Sequence, residues 1–229
     1  MTTPRVEHLV VRRTARYLTL GAERDATEIW FALHGYGQLA ADFARAMEPV
    51  ACDGRLVVVP EGLSRFYLES PGGTHANARV GATWMTREDR DAEISDHVHY
   101  LDALFKHVVA GPREARPRVR VLGFSQGVAT AARWLARGRA AADHVILWAG
   151  QLPDDVGPAT MLRPDRTTRL TYVIGDRDEL VSRDAIERSA ERLSAAGAPF
   201  ERLTFEGGHR LDRETLRRLT EDTALNAER

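Results

Sequence analysis

The stretch Arg118–Gly127, RVRVLGFSQG, constrains the fold of this chain more than any other part of the sequence. Its first half contains Val119, Val121 and Leu122, which are β-branched or bulky residues that favour a strand. Apolar residues then recur at helical spacing, at Val128, Ala129, Ala132, Leu135 and Ala136. Ser125 therefore lies at the corner where a predicted strand turns into a predicted helix.

The residues around this corner, Gly123–Gly127, fit the pattern G-x-S-x-G. In this pattern a sharp turn holds a serine hydroxyl out over the sheet, and small flanking residues avoid a steric clash. The N-terminus of the following helix favours negative charge that develops nearby. We therefore predict that Ser125 is a nucleophile on a strand-to-helix elbow, with an ordinary glycine-rich turn as the alternative.

Length and charge restrict the classes of protein to be considered. The chain has 229 residues, the size of one large α/β domain, and no Pro/Ser-rich linker divides it, so we expect residues 1–229 to form a single domain. Its 32 Lys and Arg balance 33 Asp and Glu, for a net charge of −1, so bulk charge favours neither nucleic acid nor an anionic membrane as a partner. A small-molecule substrate fits better, and the oligomeric state stays open.

Cysteine content and hydropathy indicate where such a protein works. The single cysteine, Cys52, rules out an intramolecular disulfide and is compatible with a reducing compartment. The first residues lack the apolar centre of a signal peptide, and no apolar run reaches transmembrane length. We expect a cytoplasmic protein without stable membrane insertion.

Strand-like and helix-like segments alternate along the chain. Two β-rich runs, Val6–Val11 and Ala15–Leu20, predict an N-terminal antiparallel hairpin at a sheet edge. The other predicted strands are Glu28–Leu33, Leu56–Val59, His144–Trp148, Leu170–Ile174 and Phe200–Phe205. Helical periodicity separates most of them, including a helix that starts at Ser182. This order predicts an α/β fold with a doubly wound, mainly parallel sheet.

The stretch Leu63–Arg90 lacks a sustained period and is rich in glycine and polar residues. A loop of this length in a compact domain is uncommon unless it is functional. By contrast, the segment between His144–Trp148 and Leu170–Ile174 is too short for a large cap domain, so we expect none.

A serine nucleophile needs a base, and the base must lie near the carboxyl ends of the strands. Of the eight histidines, His209 directly follows a glycine pair after the last predicted strand. His75, in the long loop, is its nearest rival. Four other histidines are expected to be solvated or structural, namely His97, His99, His107 and His144.

An orienting carboxylate should follow another strand end. Gly175–Val181, GDRDELV, presents Asp176, Asp178 and Glu179 after the penultimate strand. A carboxylate here gives the chain order serine, acid, histidine, which is the order of α/β-hydrolases and differs from those of chymotrypsin-like and subtilisin-like proteases.

The sequence resembles the α/β-hydrolases, and within them the phospholipase/carboxylesterase group that includes acyl-protein thioesterases. The likeness covers nearly the whole chain. It rests on LHGYG at Leu33–Gly37, VVVPEG at Val57–Gly62, Trp84, GFSQG at Gly123–Gly127, GDRDELV at Gly175–Val181 and GGH at Gly207–His209.

The resemblance implies roles for particular residues. It selects Asp178 as the orienting acid, because the family's aspartate stands three residues after the glycine of GDRDELV and three before its valine. It also implies that the backbone N–H groups of Tyr36 and Gln126 form an oxyanion hole. The segment Trp84–Arg90 departs from the family pattern, and here we expect aromatic residues to bind substrate, namely Trp84, Phe66 and Tyr67.

We therefore expect a serine carboxylesterase that uses no metal or cofactor and hydrolyses short-chain esters or thioesters through an acyl-enzyme on Ser125. Alternatives within the enzymes are a lysophospholipase or acyl-protein thioesterase, and a peptidase or amide hydrolase. A dienelactone hydrolase is disfavoured, because that group carries cysteine at the elbow. The alternative outside the enzymes is a binding protein that has kept the hydrolase fold.

Overall fold

A seven-stranded sheet forms the centre of the molecule. The computed structural model describes residues 3–21, 26–52, 54–69, 77–110, 115–163 and 167–221. The strands are β1 Tyr17–Gly21, β2 Glu28–Leu33, β3 Arg55–Pro60, β4 Ser64–Tyr67, β5 Val80–Thr83, β6 Arg118–Phe124, β7 His144–Trp148, β8 Arg169–Gly175 and β9 Glu201–Phe205. The helices are α1 Ala40–Met47, α2 Arg90–Val109, α3 Gln126–Arg137, α4 Arg183–Ala195 and α5 Arg213–Glu221.

The main sheet has the strand order β1-β3-β2-β6-β7-β8-β9, and all neighbouring strands are parallel except the antiparallel pair β1 and β3. Side chains of β2 alternate between the two faces. Ile29, Phe31 and Leu33 pack with α2, α3 and α4, whereas Trp30 and Ala32 pack with α1 and α5. Helices therefore cover both faces, which confirms the predicted α/β fold with a doubly wound, mainly parallel sheet.

The residues that begin and end α4 have the conformations predicted for them. Ser182 precedes α4 and its hydroxyl accepts a hydrogen bond from Ala185 N–H at 3.2 Å. Gly197 follows α4 with a φ of 63°, the left-handed conformation that ends many helices. No helix in the described ranges combines the length and the hydropathy needed to cross a bilayer.

The predicted N-terminal hairpin is wrong in its first strand. Only the second run forms a strand, Tyr17–Gly21, and it pairs antiparallel with β3 instead of with Val6–Val11. Leu9 and Val10 in the first run are 86% and 95% exposed. The link Arg12-Arg13-Thr14 contains no Gly or Asn for a tight reversal, and β propensity acts only where a strand has a surface to pack on.

The long stretch Leu63–Arg90 is more regular than predicted. It contains β4 and β5, which form a small antiparallel sheet of their own in which Phe66 lies opposite Gly81. Each strand has four residues, too few to show a period in sequence. Between β7 and β8 the described residues form only one short 3-10 turn, Pro158–Met161, so nothing described there has the size of a cap domain.

Burial lowers the pKa of several histidines in the core, among them His97 and His144. Burial lowers the pKa of His97 to about 4, and the charge of Arg133 nearby lowers it further. Burial and the neighbouring Arg120 lower the pKa of His144 to about 3. Neither ring nitrogen of His97 has a hydrogen-bond partner among the described residues.

We predict that the free energy of unfolding falls as the pH drops below about 6.5, because the unfolded chain then protonates these histidines while the folded protein does not. The effect should be about 2 kcal/mol for His97 between pH 7 and pH 5. His97→Leu should make this dependence less steep in urea unfolding, with the contribution of His144 remaining, whereas His99→Leu, on the exposed face of the same helix, should not. An unchanged pH slope in His97→Leu would contradict the assignment.

Candidate active site

Ser125 occupies the corner between β6 and α3 with φ 55° and ψ −117°. A residue other than glycine adopts such angles only under strain of about 1–3 kcal/mol, which is stored where function needs it. The Ser125 N–H donates to the Trp148 carbonyl at 2.9 Å. The predicted strand–turn–helix context of the G-x-S-x-G motif is thus confirmed.

The two flanking glycines are required by close backbone approach. A Cβ on Gly123 would lie 2.3 Å from the Gly127 carbonyl oxygen, and a Cβ on Gly127 would lie 2.2 Å from that of Leu33. Real Cβ atoms do not approach backbone oxygens this closely. The elbow can therefore form only where both positions lack a side chain.

His209 and Asp178 are brought together although they follow different strands. Nδ1 of His209 lies 2.8 Å from Oδ2 of Asp178, and the two side chains are 14% and 1% exposed. The other carboxylate oxygen accepts hydrogen bonds from the N–H groups of Leu180 and Val181 at 3.0 and 3.2 Å. A carboxylate held in this way keeps the proton on Nδ1 and leaves a lone pair on Nε2 that can accept a proton.

This pair lies beside the elbow. The ring of His209 packs against that of Phe124, the residue before Ser125, with 5.0 Å between ring centroids. Asp176 is more exposed, and its carboxylate instead accepts a hydrogen bond from Gly207 N–H at 2.8 Å. The rival base His75 lies outside the described residues.

The turn His34–Gly37 lies against the elbow on its other side. A Cβ on Gly35 would be 3.2 Å from the Ser125 Cβ. The backbone N–H groups of Tyr36 and Gln126 donate to no described residue. Two unsatisfied donors next to a strained serine are what an oxyanion hole requires.

The buried His34 side chain stabilises this turn through two hydrogen bonds. Gly62 N–H donates to Nε2 of His34 at 2.9 Å, so the ring proton sits on Nδ1, which donates to the Gly35 carbonyl at 2.7 Å. Burial lowers the pKa of His34 and keeps the ring neutral. The Gly35 carbonyl and the Tyr36 N–H belong to the same peptide group, so the hydrogen bond from His34 to the carbonyl also fixes the position of the N–H.

The side chain of Gln126 has a role that the sequence did not reveal. Its Nε2 donates to the Met85 carbonyl at 2.9 Å, and its Oε1 accepts from Trp84 N–H at 3.2 Å. These bonds tie the segment after β5 to the start of α3. In the described part of the chain, no group of three or more His, Cys, Asp or Glu could hold a metal ion.

With this geometry established, comparison with known proteins identifies the family. Residues 31–216 match the family model described as serine hydrolase (FSH1). The chain belongs to this family of serine hydrolases. No curated protein matches the chain by sequence.

Solved structures share the fold of this serine hydrolase at low sequence identity. Zea mays acyl-protein thioesterase 2 has a TM-score of 0.64 at 16% identity, covering 93% of this chain and 99% of that one. Esterase PE8 has a TM-score of 0.64 at 20% identity, with the same coverage of both chains. The Bacillus cereus carboxylesterase has a TM-score of 0.62 at 17% identity, covering 92% and 94%. They confirm the predicted α/β-hydrolase fold.

The three aromatic residues expected to bind substrate differ in position. Trp84 is 2% exposed, stacks on His34 and donates from Nε1 to the His34 carbonyl at 2.8 Å, so it packs in the core against the start of the turn His34–Gly37. Phe66 packs on Tyr36 with 5.1 Å between ring centroids. Tyr67 is 48% exposed and, by strand alternation, faces away from Phe66.

Leu68, which the sequence did not single out, joins Phe66 on the same face. A Cβ on Gly37 would meet the Leu68 side chain at 3.2 Å. Tyr36, Phe66 and Leu68 therefore form an apolar shelf beside the elbow of the serine hydrolase, with Tyr36 61% and Leu68 39% exposed. A two-residue alternation in RFYL was the only sequence signal for it.

We predict that Asp178→Asn lowers kcat by roughly 10³- to 10⁴-fold, because the histidine would be held in the wrong tautomer. Asp176→Asn should cost far less, since that carboxylate is half exposed and accepts a hydrogen bond from the Gly207 N–H instead of from a histidine. Steady-state kinetics of both variants provide the comparison. Similar losses in the two would leave Asp178 without a special role.

Proposed function

We propose that this serine hydrolase cleaves carboxylic esters or thioesters through an acyl-enzyme on Ser125. The observation that carries the proposal is the buried His209–Asp178 pair, 2.8 Å apart, packed beside a serine with a strained backbone. The names of the structural neighbours, an acyl-protein thioesterase and two esterases, support the same chemistry.

In the proposed mechanism the Ser125 hydroxyl attacks the ester carbonyl while Nε2 of His209 takes its proton. The Asp178 carboxylate orients the ring and stabilises the imidazolium that forms. His209 then gives the proton to the leaving alcohol or thiol, and the acyl group stays on Ser125. Water attacks next by the same route, with His209 as base, and releases the acid.

The charge on the tetrahedral oxygen would be met by the N–H groups of Tyr36 and Gln126. Both donors are fixed before substrate arrives, Tyr36 through His34 and Gln126 as the first residue of α3. Each preorganised donor of this kind contributes about 3 kcal/mol to transition-state stabilisation. The N-terminus of α3 adds a favourable dipole at the same point.

The apolar shelf supports a preference for short acyl groups. Tyr36, Phe66 and Leu68 offer a small, open surface. Such a surface can cover a few methylene groups, each worth about 0.8 kcal/mol, but not a long chain. We therefore propose short-chain esters or thioesters as substrates.

The first test is Ser125→Ala. Without the nucleophile, kcat/KM on p-nitrophenyl acetate should fall by roughly 10⁴-fold or more, while the circular dichroism spectrum and melting temperature stay close to wild type. Wild-type protein that hydrolyses no ester and does not react with a fluorophosphonate would indicate a binding protein on the hydrolase fold.

The second test concerns chain length. On p-nitrophenyl esters, kcat/KM should be highest for roughly C2 to C6 acyl groups and fall beyond them. Phe66→Ala should raise KM for C4 and C6 esters several-fold, whereas Tyr67→Ala, its neighbour on the opposite face of β4, should change it little. A steady gain out to palmitoyl esters would instead favour an acyl-protein thioesterase or lysophospholipase.

A further inference from the structure

Glu61 is a buried carboxylate outside the proposed triad. Its side chain is 0% exposed and lies just after β3, at the catalytic edge of the sheet. Oε1 accepts from Nε of Arg16 at 3.1 Å and from Nε of Arg65 at 2.6 Å. Oε2 accepts from Nη2 of Arg16 at 2.6 Å and from the N–H of Ala40 at 3.0 Å.

These four bonds keep the carboxylate charged in the core. Burial alone would raise the pKa of Glu61, but the hydrogen bonds from Arg16, Ala40 N–H and Arg65 lower it below its usual range. A buried charge that is fully paired resists displacement, because moving any partner away would leave it uncompensated. The four segments that contain Arg16, Ala40, Glu61 and Arg65 are therefore held in one arrangement.

One of these segments leads directly from the oxyanion turn. Ala40 is the first residue of α1, and the residue before it, Leu39, has no side-chain acceptor for the free N–H groups of the helix. Glu61 takes over that capping role from a distant part of the chain. The next residue, Gly62, donates to His34, which holds the Gly35 carbonyl. Gly62 thus holds the start of the turn through His34, and Glu61 holds the segment that follows the turn through Ala40.

A second segment carries the apolar shelf. Arg65 lies in β4 directly before Phe66, and Phe66 packs on Tyr36. The same carboxylate therefore sets the position of the shelf and of the turn that contains Tyr36. Neither Arg65 nor Glu61 touches Ser125, His209 or Asp178 in the described contacts.

We infer that Glu61 is a positioning residue for acyl transfer. Its carboxylate fixes the position of the Tyr36 N–H donor relative to Phe66 in the apolar shelf. The inference rests on the proposed function, since it assumes that the Tyr36 N–H serves as an oxyanion donor. A merely structural salt bridge would affect stability alone. A positioning residue affects kcat at a temperature where the protein is fully folded.

Asp155 offers a matched control. Its carboxylate, 21% exposed, is held by three arginines, Arg90, Arg133 and Arg137, whereas Glu61 is held by two. These arginines belong to α2 and α3, and their described contacts include Sδ of Met85, 3.1 Å from Arg133, but no residue of the turn His34–Gly37. Asp155→Asn therefore removes a comparable charge from a comparable cluster in a different place.

The test compares Glu61→Gln with Asp155→Asn well below the melting temperature of each. Glu61→Gln should lower kcat on p-nitrophenyl acetate about tenfold to a hundredfold with KM changed less than about threefold, because a small displacement of an oxyanion donor acts in the transition state. Asp155→Asn should lower the melting temperature and leave kcat within about twofold. Equal kcat losses in the two variants would overturn the inference.

A second readout does not depend on activity. Amide hydrogen exchange across Tyr36–Ala40 should be at least about tenfold faster in Glu61→Gln than in wild type, and unchanged there in Asp155→Asn. Unchanged exchange in Glu61→Gln would refute the positioning role even if the protein hydrolysed no ester. An inactive wild type combined with faster exchange would refute the proposed function and leave Glu61 as the residue that orders the turn.

Discussion

The close backbone packing at Ser125 is the constraint on which the rest of the site depends. Gly123 and Gly127 approach backbone oxygens so closely that neither position can hold a Cβ. This packing forces the chain from β6 into α3 within one residue and places Ser125 at a φ of 55°. The strain is tolerated because β6 lies in the middle of a parallel sheet, with β2 and β7 on either side.

A central elbow lets separate strand ends supply the other groups. The carboxyl ends of β2 and β6 are aligned, with Leu33 opposite Gly123, so the turn after β2 falls beside Ser125. β8 and β9 also end side by side, with Gly175 opposite Phe205, and this brings the loops of Asp178 and His209 together. Proximity in the site is therefore a result of strand register.

Much of this could be predicted from sequence, because it depends on local patterns. The apolar run of β2, the glycines around Ser125 and the acids after Gly175 are each visible in a few consecutive residues. What could not be predicted depends on distant contacts. Val6–Val11 has strand composition but pairs with no strand in the described residues, and Trp84 lies in a loop segment yet packs in the core on His34. Composition does not report either fact.

The central claim is that Ser125 reacts while the N–H groups of Tyr36 and Gln126 receive the charge. A crystal structure of the protein after reaction with a small alkyl phosphonate tests it most directly. The account predicts phosphorus bonded to the Ser125 Oγ, with one phosphonyl oxygen about 2.7–3.1 Å from both nitrogens. A phosphonate on another residue, or its oxygen turned away from Tyr36 and Gln126, would contradict the account.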